Sequence, residues 1–305
     1  FNEEGRANVV GYVEEWKKSV RRMGRWVDME NDYKTMDTDF MESVWWVFKS
    51  IYDKGLVYEG HRVVPYCPRC TTPLSNFEVN QGYKDKQDKT VTVKFKVEWN
   101  ESKYILAWTT TPWTLPANLG LAVGADLDYA EILDKETGET YVLAADLVGN
   151  YYKNEDDYTL IKTYKGSCLA GLKYEPLFDD FKTQLTEMDA DLWSDVKLWS
   201  NAWSIVIGHH VTTESGTGIV HIAPAYGEDD NQIGQEQDLG FVSHINDTGK
   251  SYNLLENNDL DIADFNEAIL QNVKDRGLAV LINTINHSYP HCWRCDTPLI
   301  YRAIS

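Results

Sequence analysis

The sequence has little positive charge for its length. Its 305 residues include 29 lysines and arginines against 48 aspartates and glutamates, which gives a formal net charge of −19. Lysine and arginine make most phosphate contacts in nucleic-acid complexes, so this balance excludes binding along an extended polyanion surface. Contact with RNA would have to be local, or would need parts that lie outside this chain.

Long hydrophobic runs are also missing. No window approaches the ~18 consecutive apolar residues of a membrane-spanning helix, and the N-terminus lacks the basic, apolar and small-residue succession of a secretory leader. With 43% hydrophobic and 12% aromatic residues, the composition predicts a soluble globular protein of about two domains with no membrane partner. The chain starts at Phe1 without an initiating methionine, so we expect an excised fragment.

Only five cysteines are present, and four of them form two copies of one short motif. The motif reads Cys-Pro-Arg-Cys at 67–70 and Cys-Trp-Arg-Cys at 292–295, and the ten residues around each copy agree at seven positions. Two pairs of thiolates at this spacing predict a structural zinc site formed by Cys67, Cys70, Cys292 and Cys295. The alternatives are redox chemistry, which lacks a thioredoxin-like context here, and disulfides, which a cytosolic setting disfavours.

A shared metal would join the two ends of the chain and make the sequence between them a closed excursion, as an inserted domain requires. His287 and His291 flank the second motif, but with four sulfurs available they are expected to be neighbours of the metal and not ligands. The unpaired Cys168 is expected to be buried as a small apolar residue.

Hydroxyl groups are concentrated in the segment 108–118, which follows a short strand-forming run. Its polar and aromatic members are Trp108, Thr109, Thr110, Thr111, Trp113, Thr114 and Asn118. Pro112 and Pro116 fix their own φ angles and favour extended conformations at the preceding residues, so we expect a stiff, kinked ribbon and not a helix. The structural alternative is that β-branched threonines simply favour a strand.

A second segment, 216–230, combines a turn, a strand, a loop and an acidic cluster. The strand carries one imidazole, His221, and the loop ends in Glu228, Asp229 and Asp230. Three acids at this place are typical of a helix N-terminus, where free backbone N–H groups and the helix dipole favour negative charge.

Together, the two segments resemble the editing domain of isoleucyl-tRNA synthetase, a large insertion in a class I catalytic core. The similarity extends to residues 24–28, residues 41–48 and the second cysteine motif, so that it covers nearly the whole chain. The order Thr-Pro-Trp-Thr at 111–114 favours the isoleucine branch over its valine and leucine relatives.

The expected fold class is α+β and β-rich. Period-two alternation at 90–97 predicts one strand, and short strand-like segments predict more at 104–107, 119–123, 129–133, 140–143, 158–164, 204–211 and 219–222, as in a barrel or sandwich. Helices are expected near 9–24, from 37 or 38 to 55, after Asp230 and at 263–276. In the second helix, the residues expected to face inward are Phe40, Met41, Val44, Trp45, Phe48 and Tyr52.

The domain division expected from these features has three parts. Residues 1–64 would form a helical connector to a catalytic core outside the chain. Residues 65–89 and 287–305 would form a zinc-knuckle base, and residues 90–286 a β-barrel-like editing domain with peripheral helices.

The resemblance implies hydrolysis of valyl-tRNA(Ile), with valyl-adenylate as a second candidate substrate. Isoleucine and valine differ by one methylene, which a binding pocket discriminates by only about 1–3 kcal/mol, so a second, smaller pocket removes the error. The implied partners are the 3′ acceptor end of tRNA(Ile), valine and the ATP-dependent core of a cytoplasmic enzyme. The editing chemistry would need no cofactor. The chain has no His-Ile-Gly-His or Lys-Met-Ser-Lys-Ser signature, so it is not expected to ligate.

The resemblance also assigns roles to residues. Asp230 would anchor the substrate ammonium, unless it is only a helix N-terminal acid. His221 would bound the side-chain pocket and exclude isoleucine, unless it is a satisfied core histidine; it is a poor candidate for a general base. A positioned water would attack, and Asp230, His221, Thr110 and Thr111 would form the catalytic group. The remaining substrate-binding candidates are Thr109, Thr114, Asn118, Trp108 and Trp113, with the two indoles either stacking on the terminal adenosine or packing in the core.

Two positions depart from the family pattern. Asn231 stands where an aromatic residue is expected, and His209-His210 stands where acids are expected. Both departures are expected to lie away from the groups that contact substrate, and adjacent strand residues such as His209 and His210 would not share a metal because they face opposite sides. The rival hypothesis is a non-catalytic module that only binds the tRNA acceptor end or serves as a scaffold.

Overall fold

The structure is a computed structural model that describes residues 1–58, 60–178, 201–252 and 259–304. The chain divides into two compact units, Phe1–Gly60 and His61–Ser305. None of the described helices is long and apolar enough to cross a membrane.

The first unit contains two helices, α1 (Asn2–Arg22) and α2 (Thr38–Tyr52). Helix α1 has glutamates in its first turn and arginines in its last turn, so the charges at both ends complement the helix dipole. Both helices were expected from their apolar spacing, although α1 begins seven residues before the expected start at 9.

The expected inward face of α2 is wrong. The helix has no buried residue, and the exposed fractions of its apolar side chains are 42% for Met41, 53% for Val44, 70% for Trp45, 46% for Phe48 and 61% for Tyr52. Phe40 is half-buried and stacks on Tyr33, with ring centroids 5.5 Å apart. The periodicity predicts an apolar stripe, but a stripe is buried only where a packing partner covers it.

The second unit starts with a small antiparallel sheet that joins its two chain ends. Strands β1 (Arg62–Cys67), β2 (Thr72–Pro73) and β12 (Ile300–Ile304) lie in the order β12–β1–β2. Tyr66 pairs with Pro73 on one side and with Ile300 on the other. The short helix α3 (Asn76–Asn80) follows, closed by a reciprocal capping box between Ser75 and Glu78.

A long antiparallel ribbon connects this small sheet with a larger one. Strand β3 (Tyr83–Lys96) pairs with β11 (Ala279–Pro290) from the Tyr83–Pro290 pair to the Val93–Ala279 pair. The expected boundaries at 89/90 and 286/287 both fall inside these strands. Gly82 precedes the ribbon, and a Cβ there would lie 1.9 Å from the carbonyl oxygen of His291, so the close approach of the two chain segments requires glycine.

The larger sheet has nine strands in the part of the chain that the structure describes. Besides β3 and β11 it contains β4 (Lys103–Thr109), β5 (Gly120–Val123), β6 (Asp128–Asp134), β7 (Thr140–Ala144), β8 (Tyr158–Lys165), β9 (Ser204–Ile207) and β10 (Ile219–Ile222). The main order is β8–β6–β7–β4–β10–β5–β9, and β3 pairs with both β4 and β11. Isolated bridges from Lys173 to Ser204 and from Tyr174 to Val97 complete a ring through β3, β4, β10, β5 and β9. The expected β-rich, barrel-like α+β fold is confirmed.

The strands of the ring supply much of the main core. Side chains that are at most 1% exposed include Val93, Phe95, Ile105, Leu121 and Ile205. Short helical segments connect the strands: α4 (Val148–Tyr151), and 3-10 turns at Ala145–Leu147, Glu155–Asp157 and Gly166–Cys168. Cys168 is exposed, so the expectation that it is buried is wrong. The buried residue of the 3-10 turn that contains Cys168 is Gly166.

Two further helices confirm their sequence predictions. Helix α5 (Glu228–Glu236) starts at the three acids, and α6 (Ile262–Asp275) lies within one residue of the expected bounds. The Asp261 carboxylate caps α6 by accepting hydrogen bonds from the N–H groups of Ala263 and Asp264.

The sequence predicted a stiff, kinked ribbon and not a helix for the threonine-rich segment. This prediction is wrong for part of the segment. Residues Pro112–Ala117 form a 3-10 helix, in which Pro112 takes the first position, where no N–H donor is needed. Pro116 lacks the N–H that would bond the Trp113 carbonyl in a 3-10 turn. That carbonyl instead accepts a hydrogen bond from Nε2 of His244 at 2.8 Å, so the helix tolerates its internal proline.

Candidate active site and metal centre

The two segments singled out in the sequence meet because β4 and β10 are parallel neighbours. Val220 in β10 lies beside Trp108 in β4. The carboxyl ends of parallel strands share one edge of a sheet, so the residues that follow Trp108 and those that follow Ile222 leave the sheet side by side. This register brings the hydroxyl-rich segment to the acids of α5.

A cavity of about 250 Å³ lies at this edge. Its described lining contains Thr109, Thr110, Thr111, Thr114, His221 and Asp230, together with Trp108. Six of these seven are the expected catalytic and hydroxyl residues. The seven come from two segments that lie more than one hundred residues apart in the sequence. The described lining contains no lysine or arginine, and Asp230 supplies its one carboxyl group.

Asp230 is held in an environment that suits a positively charged ligand. Its Oδ2 atom accepts a hydrogen bond from the N–H of Ala223 at 2.9 Å. Burial raises the pKa of Asp230 to about 7, against the lowering effect of the Ala223 bond, and the nearby Asp229 carboxylate raises it further. A cation next to Asp230 would reverse this shift, because an opposite charge favours the ionised form. Glu228 and Asp229 are exposed in the first turn of α5.

His221 is buried and its ring is fixed in one neutral tautomer. The Asn118 amide accepts from the Tyr174 hydroxyl at 2.6 Å and donates to the Gly120 carbonyl at 2.9 Å, which fixes its orientation. Its Nδ2 therefore donates to Nδ1 of His221 at 2.8 Å. Burial lowers the pKa of His221 to about 4, so near neutral pH the ring carries its one proton on Nε2, which lies 3.0 Å from Thr114 Oγ1.

The threonine hydroxyls continue this chain of hydrogen bonds. Thr114 donates to the carbonyl oxygen of Thr111 at 2.8 Å, and its Oγ1 lies 3.4 Å from Thr111 Oγ1. The N–H of Thr111 donates to Thr109 Oγ1 at 3.1 Å. Thr110 makes no side-chain hydrogen bond to the described part of the chain, so its hydroxyl is available to a ligand.

Two of the expected substrate-binding residues lie behind the cavity wall. Asn118 is 3% exposed and contacts His221 instead of the cavity. Trp113 is 6% exposed and packs edge-on against Tyr226, with ring centroids 4.9 Å apart. Trp108 is half-buried and lines this cavity, so it is the indole that a base in this cavity can contact, whereas Trp113 borders a second cavity of about 590 Å³.

His210 is a cavity residue that the sequence reasoning missed. It was expected to lie away from the substrate contacts, but it lines the cavity, while its neighbour His209 is exposed. Its Nε2 atom is buried and has no hydrogen-bond partner among the described residues. A buried ring nitrogen without a partner is costly, so this atom is suited to bind a ligand group. Asn231, the other departure, donates to the Pro224 carbonyl at 2.9 Å and stays outside the lining.

Tyr226 and the hydroxyls of Thr212, Ser215 and Thr217 complete the polar part of the lining. Tyr226 is fixed from behind, because its hydroxyl oxygen accepts from the N–H groups of His244 and Ile245 at 2.7 and 3.1 Å. The loop between β9 and β10, which carries Thr212 and Ser215, gave no sequence signal beyond the glycines that follow it.

The four motif cysteines form one cluster. Their Sγ atoms all lie within 4.8 Å of one another, and no described histidine, aspartate or glutamate joins the group. A tetrahedral zinc site with Zn–S bonds of about 2.3 Å has sulfurs about 3.8 Å apart, so the cluster fits a metal ion of this kind. Burial raises the pKa of the Cys67 thiol to about 12, so a bound cation would be needed to form the thiolate near neutral pH.

Comparison with known proteins gives one family. The model described as tRNA synthetases class I (I, L, M and V) matches residues 1–302. The chain is 46% identical to an isoleucine–tRNA ligase of Treponema denticola, covering 100% of the chain and 30% of that protein. It is 42% identical to the cytoplasmic isoleucine–tRNA ligases of Mus musculus and Saccharomyces cerevisiae, covering 24% and 28% of their lengths. The chain thus spans less than a third of each relative.

Solved structures give weaker similarities. GlLeuRS-CP1 has a TM-score of 0.47 and 12% identity, covering 64% of this chain and 98% of that one. The P. knowlesi cytosolic leucyl-tRNA synthetase editing domain has a TM-score of 0.47 and 13% identity, covering 66% of this chain and 98% of that one.

Proposed function

The chain belongs to the class I tRNA synthetases, and from this premise we propose that it is the editing domain of an isoleucyl enzyme, which hydrolyses the ester bond of valyl-tRNA(Ile). The identity of 42–46% to isoleucine–tRNA ligases supports the isoleucine branch. Activation of the amino acid with ATP then belongs to the remainder of a longer, cytoplasmic enzyme. The four-cysteine cluster would hold a structural zinc ion, and the hydrolysis itself would use no metal.

One observation carries the proposal: a half-buried carboxylate, a cluster of hydroxyls and an imidazole line the same cavity of about 250 Å³. A valyl ester offers an ammonium group, a carbonyl and a ribose with a vicinal hydroxyl. The carboxylate of Asp230 matches the ammonium through a charge-assisted hydrogen bond. The hydroxyls of Thr110 and Thr111 match the ribose and the attacking water.

The reaction needs no protein nucleophile. Water adds to the ester carbonyl carbon, and the bond between that carbon and the ribose oxygen breaks. One proton of the water passes to the departing ribose oxygen, with the vicinal hydroxyl as relay, and the other is released when the valine carboxyl group ionises. The protein contributes orientation, since a water and an ester held in contact react far faster than in free solution.

His221 is better suited to shape the cavity than to act as a base. Its Nδ1 accepts from Asn118, its Nε2–H is directed at Thr114, and burial lowers its pKa to about 4. Neither ring nitrogen is therefore available to take a proton from water. The ring forms a rigid wall of the cavity. We propose that it leaves room for the valine side chain and sterically excludes the additional methylene of isoleucine.

The deciding experiment mixes the chain with valyl-tRNA(Ile) and with isoleucyl-tRNA(Ile), and follows release of the radiolabelled amino acid. The proposal expects the valyl ester to be hydrolysed well above its spontaneous rate and the isoleucyl ester to be spared. Binding of both without hydrolysis of either would support the non-catalytic module instead.

The exclusion role of His221 gives a narrower prediction. His221→Ala should raise hydrolysis of isoleucyl-tRNA(Ile) relative to valyl-tRNA(Ile) by about 10-fold or more, because one methylene is worth about 1–3 kcal/mol in such a pocket. The comparison variant is Asn118→Ala, which frees the ring without removing it and should change the ratio less. An unchanged ratio in His221→Ala would remove His221 from this role.

A further inference from the structure

His244 is a buried titratable residue that the proposed reaction does not use. It is 0% exposed, and its ring packs against Tyr226 and Phe265, with ring centroids 4.9 and 5.5 Å away. It is not among the described residues that line the cavity of about 250 Å³. A buried polar group is costly unless it is hydrogen-bonded, so the partners of the ring indicate its role.

The hydrogen bonds of His244 fix one neutral tautomer. Its Nε2 lies 2.8 Å from the carbonyl oxygen of Trp113, which can only accept, so Nε2 carries the proton and Nδ1 is an acceptor. Nδ1 lies 3.3 Å from the hydroxyl oxygen of Tyr226, which already accepts from the N–H groups of His244 and Ile245. The Tyr226 hydroxyl therefore donates its own hydrogen, and Nδ1 is closer to it than Ser243 Oγ at 3.5 Å. Burial lowers the pKa of His244 to about 3, so the ring keeps this tautomer near neutral pH.

The first of these bonds holds the hydroxyl wall of the cavity, which consists of Thr111 and Thr114. Trp113 lies between these two threonines in the sequence, and it belongs to the 3-10 helix Pro112–Ala117. Its carbonyl oxygen finds no donor within the helix because Pro116 lacks an N–H. His244 supplies the missing donor, so the position of the helix depends on this ring.

The second bond holds the carboxylate wall, which consists of Tyr226 and Asp230. The N–H of Tyr226 donates to the carbonyl oxygen of Ala223 at 2.8 Å. The N–H of Ala223 in turn donates to Oδ2 of Asp230 at 2.9 Å. The ring of His244 thus connects two walls that come from segments more than one hundred residues apart in the sequence.

The distance between the two walls matters for the proposed reaction. The carboxylate wall would bind the substrate ammonium and the hydroxyl wall would hold the water, and a misplacement of about 1 Å can cost about 100-fold in rate. Resting on the proposed function, we propose that His244 is a positioning residue for ester hydrolysis, whose neutral ring fixes the distance between the hydroxyl wall and the carboxylate wall. It acts through Trp113 and Tyr226 and does not touch the substrate.

The test replaces His244 and measures kcat and KM separately. His244→Phe keeps an aromatic ring among aromatic neighbours but removes both hydrogen bonds, so it should lower kcat for valyl-tRNA(Ile) by about 10- to 100-fold. KM should change by less than about twofold, because Asp230 and the rest of the lining remain. His244→Gln keeps an N–H donor at the end of the side chain and should restore kcat to within about threefold of the wild type.

The matched control is Phe265→Leu, which alters another fully buried neighbour of the His244 ring without removing a hydrogen bond. It should lower the melting temperature and leave kcat within about twofold of the wild type. Equal losses of kcat in His244→Phe and Phe265→Leu would reduce His244 to a packing residue and overturn the inference. An unchanged kcat in His244→Phe, or a loss confined to KM, would overturn it too.

NMR of the chain labelled with ¹⁵N-histidine tests the contact between the two side chains in a variant that leaves His244 in place. The wild type should show a protonated Nε2 and an unprotonated Nδ1 at neutral pH. Tyr226→Phe should displace the Nδ1 resonance, because this nitrogen loses its donor; an unaltered resonance would overturn the inference.

The outcome for the wild type separates this inference from the proposed function. A wild-type chain that hydrolyses neither valyl-tRNA(Ile) nor 3′-valyl-adenosine would overturn the proposed function, and the positioning role with it. An active wild type with an equally active His244→Phe variant would overturn the positioning role alone.

Discussion

Asp230 is the residue whose physical state most directly reports on the site. A carboxyl group with a pKa of about 7 is one whose charge is not compensated by the protein. The compensation is available only from a ligand, and in the proposed reaction it is the ammonium group of the substrate. The uncompensated charge of Asp230 lowers the stability of the folded state, and the same charge strengthens the binding of a cation.

The sign of the effect on stability follows from the two pKa values. The carboxyl of Asp230 loses its proton near pH 3.8 in the unfolded chain but near pH 7 in the folded one. Between these values the folded state binds more protons, so the free energy of unfolding falls as pH rises, and the loss is complete above pH 7.

Asp230→Asn should therefore gain stability over the wild type with rising pH. The difference in melting temperature, variant minus wild type, is expected to increase from pH 4.5 to pH 7.5 in calorimetry. Hydrolysis of the valyl ester should fall by about 10- to 100-fold at pH 7.5, because a hydrogen bond to a charged group is worth about 1.5–3 kcal/mol. Glu228→Gln, on the same turn but exposed, is the control. It should change neither the pH dependence of the melting temperature nor the rate of hydrolysis. A pH-independent stability difference would contradict the assigned state of Asp230.

Residue roles could be foreseen only where the sequence places a distinctive group in a recognisable motif. Asp230, His221 and the threonines met this condition, and they line one cavity. Asn118 was expected to contact substrate but supports His221, because its partner Tyr174 lies 56 positions away and no local pattern links them. His210 was missed for a similar reason: whether its ring faces the cavity depends on a loop path that periodicity does not describe.

Among the elements, the loop before β10 has a demanding backbone. Gly218 has a φ of +69°, and a Cβ there would lie 2.4 Å from the Cβ of Ala144. Gly138 has a similar φ of +73° but nothing within 4 Å. Substitutions at Gly138 and Gly218 therefore separate two contributions to the free energy of unfolding: the left-handed backbone alone, and steric crowding beside the site.

Gly138→Ala should reduce the free energy of unfolding by about 1 kcal/mol, the cost of a left-handed alanine. Gly218→Ala should reduce it by about 3 kcal/mol, since overpacking adds about 1–3 kcal/mol, and should also slow ester hydrolysis by displacing β10 and His221. Urea unfolding and the deacylation assay measure both. Equal effects of the two substitutions would show that Gly218 is required for its conformation alone.

Elements were predictable where their pairing is local. Strands β6 and β7 are neighbours in the chain and in the sheet, and their short strand-like segments predicted both within one residue of their observed ends. Strands β1 and β12 pair across more than two hundred residues, and β1 contains Pro65, which obscured its pattern. The 3-10 helix Pro112–Ala117 was missed because its two prolines argue against an α-helix. A short 3-10 turn with Pro at its start is compatible with both prolines.

At the scale of the whole molecule, the cysteine cluster holds the two chain ends of the second unit together. Cys67 and Cys292 are both at most 1% exposed and pack with Leu74, Val79 and Leu299. This is a small apolar cluster, and on its own it offers little stabilisation. We therefore expect the metal to contribute a large part of the stability of this region.

Metal analysis of the purified chain should return about one zinc per chain. Cys292→Ser should lose the metal and lower the melting temperature, and a chelator should do the same to the wild type. Cys168→Ser, which alters the exposed cysteine outside the cluster, should keep both the zinc and the melting temperature. Retention of zinc by Cys292→Ser would contradict a four-sulfur site.

The division of the chain into two units leads to a last prediction. All residues that line the two cavities, the four clustered cysteines and the main core belong to His61–Ser305. The first unit has an α2 helix without a buried residue, and exposed apolar side chains at this density are a liability for solubility. A chain starting at His61 should therefore fold alone, keep its zinc and hydrolyse 3′-valyl-adenosine within about twofold of the full chain, since it retains a compact unit with all the described residues that line the cavities and cluster at the metal site. Size-exclusion chromatography should also show less association than for the full chain. Loss of hydrolysis with zinc and melting temperature retained would mean that residues 1–60 contribute to the reaction, which nothing in the cavity lining predicts.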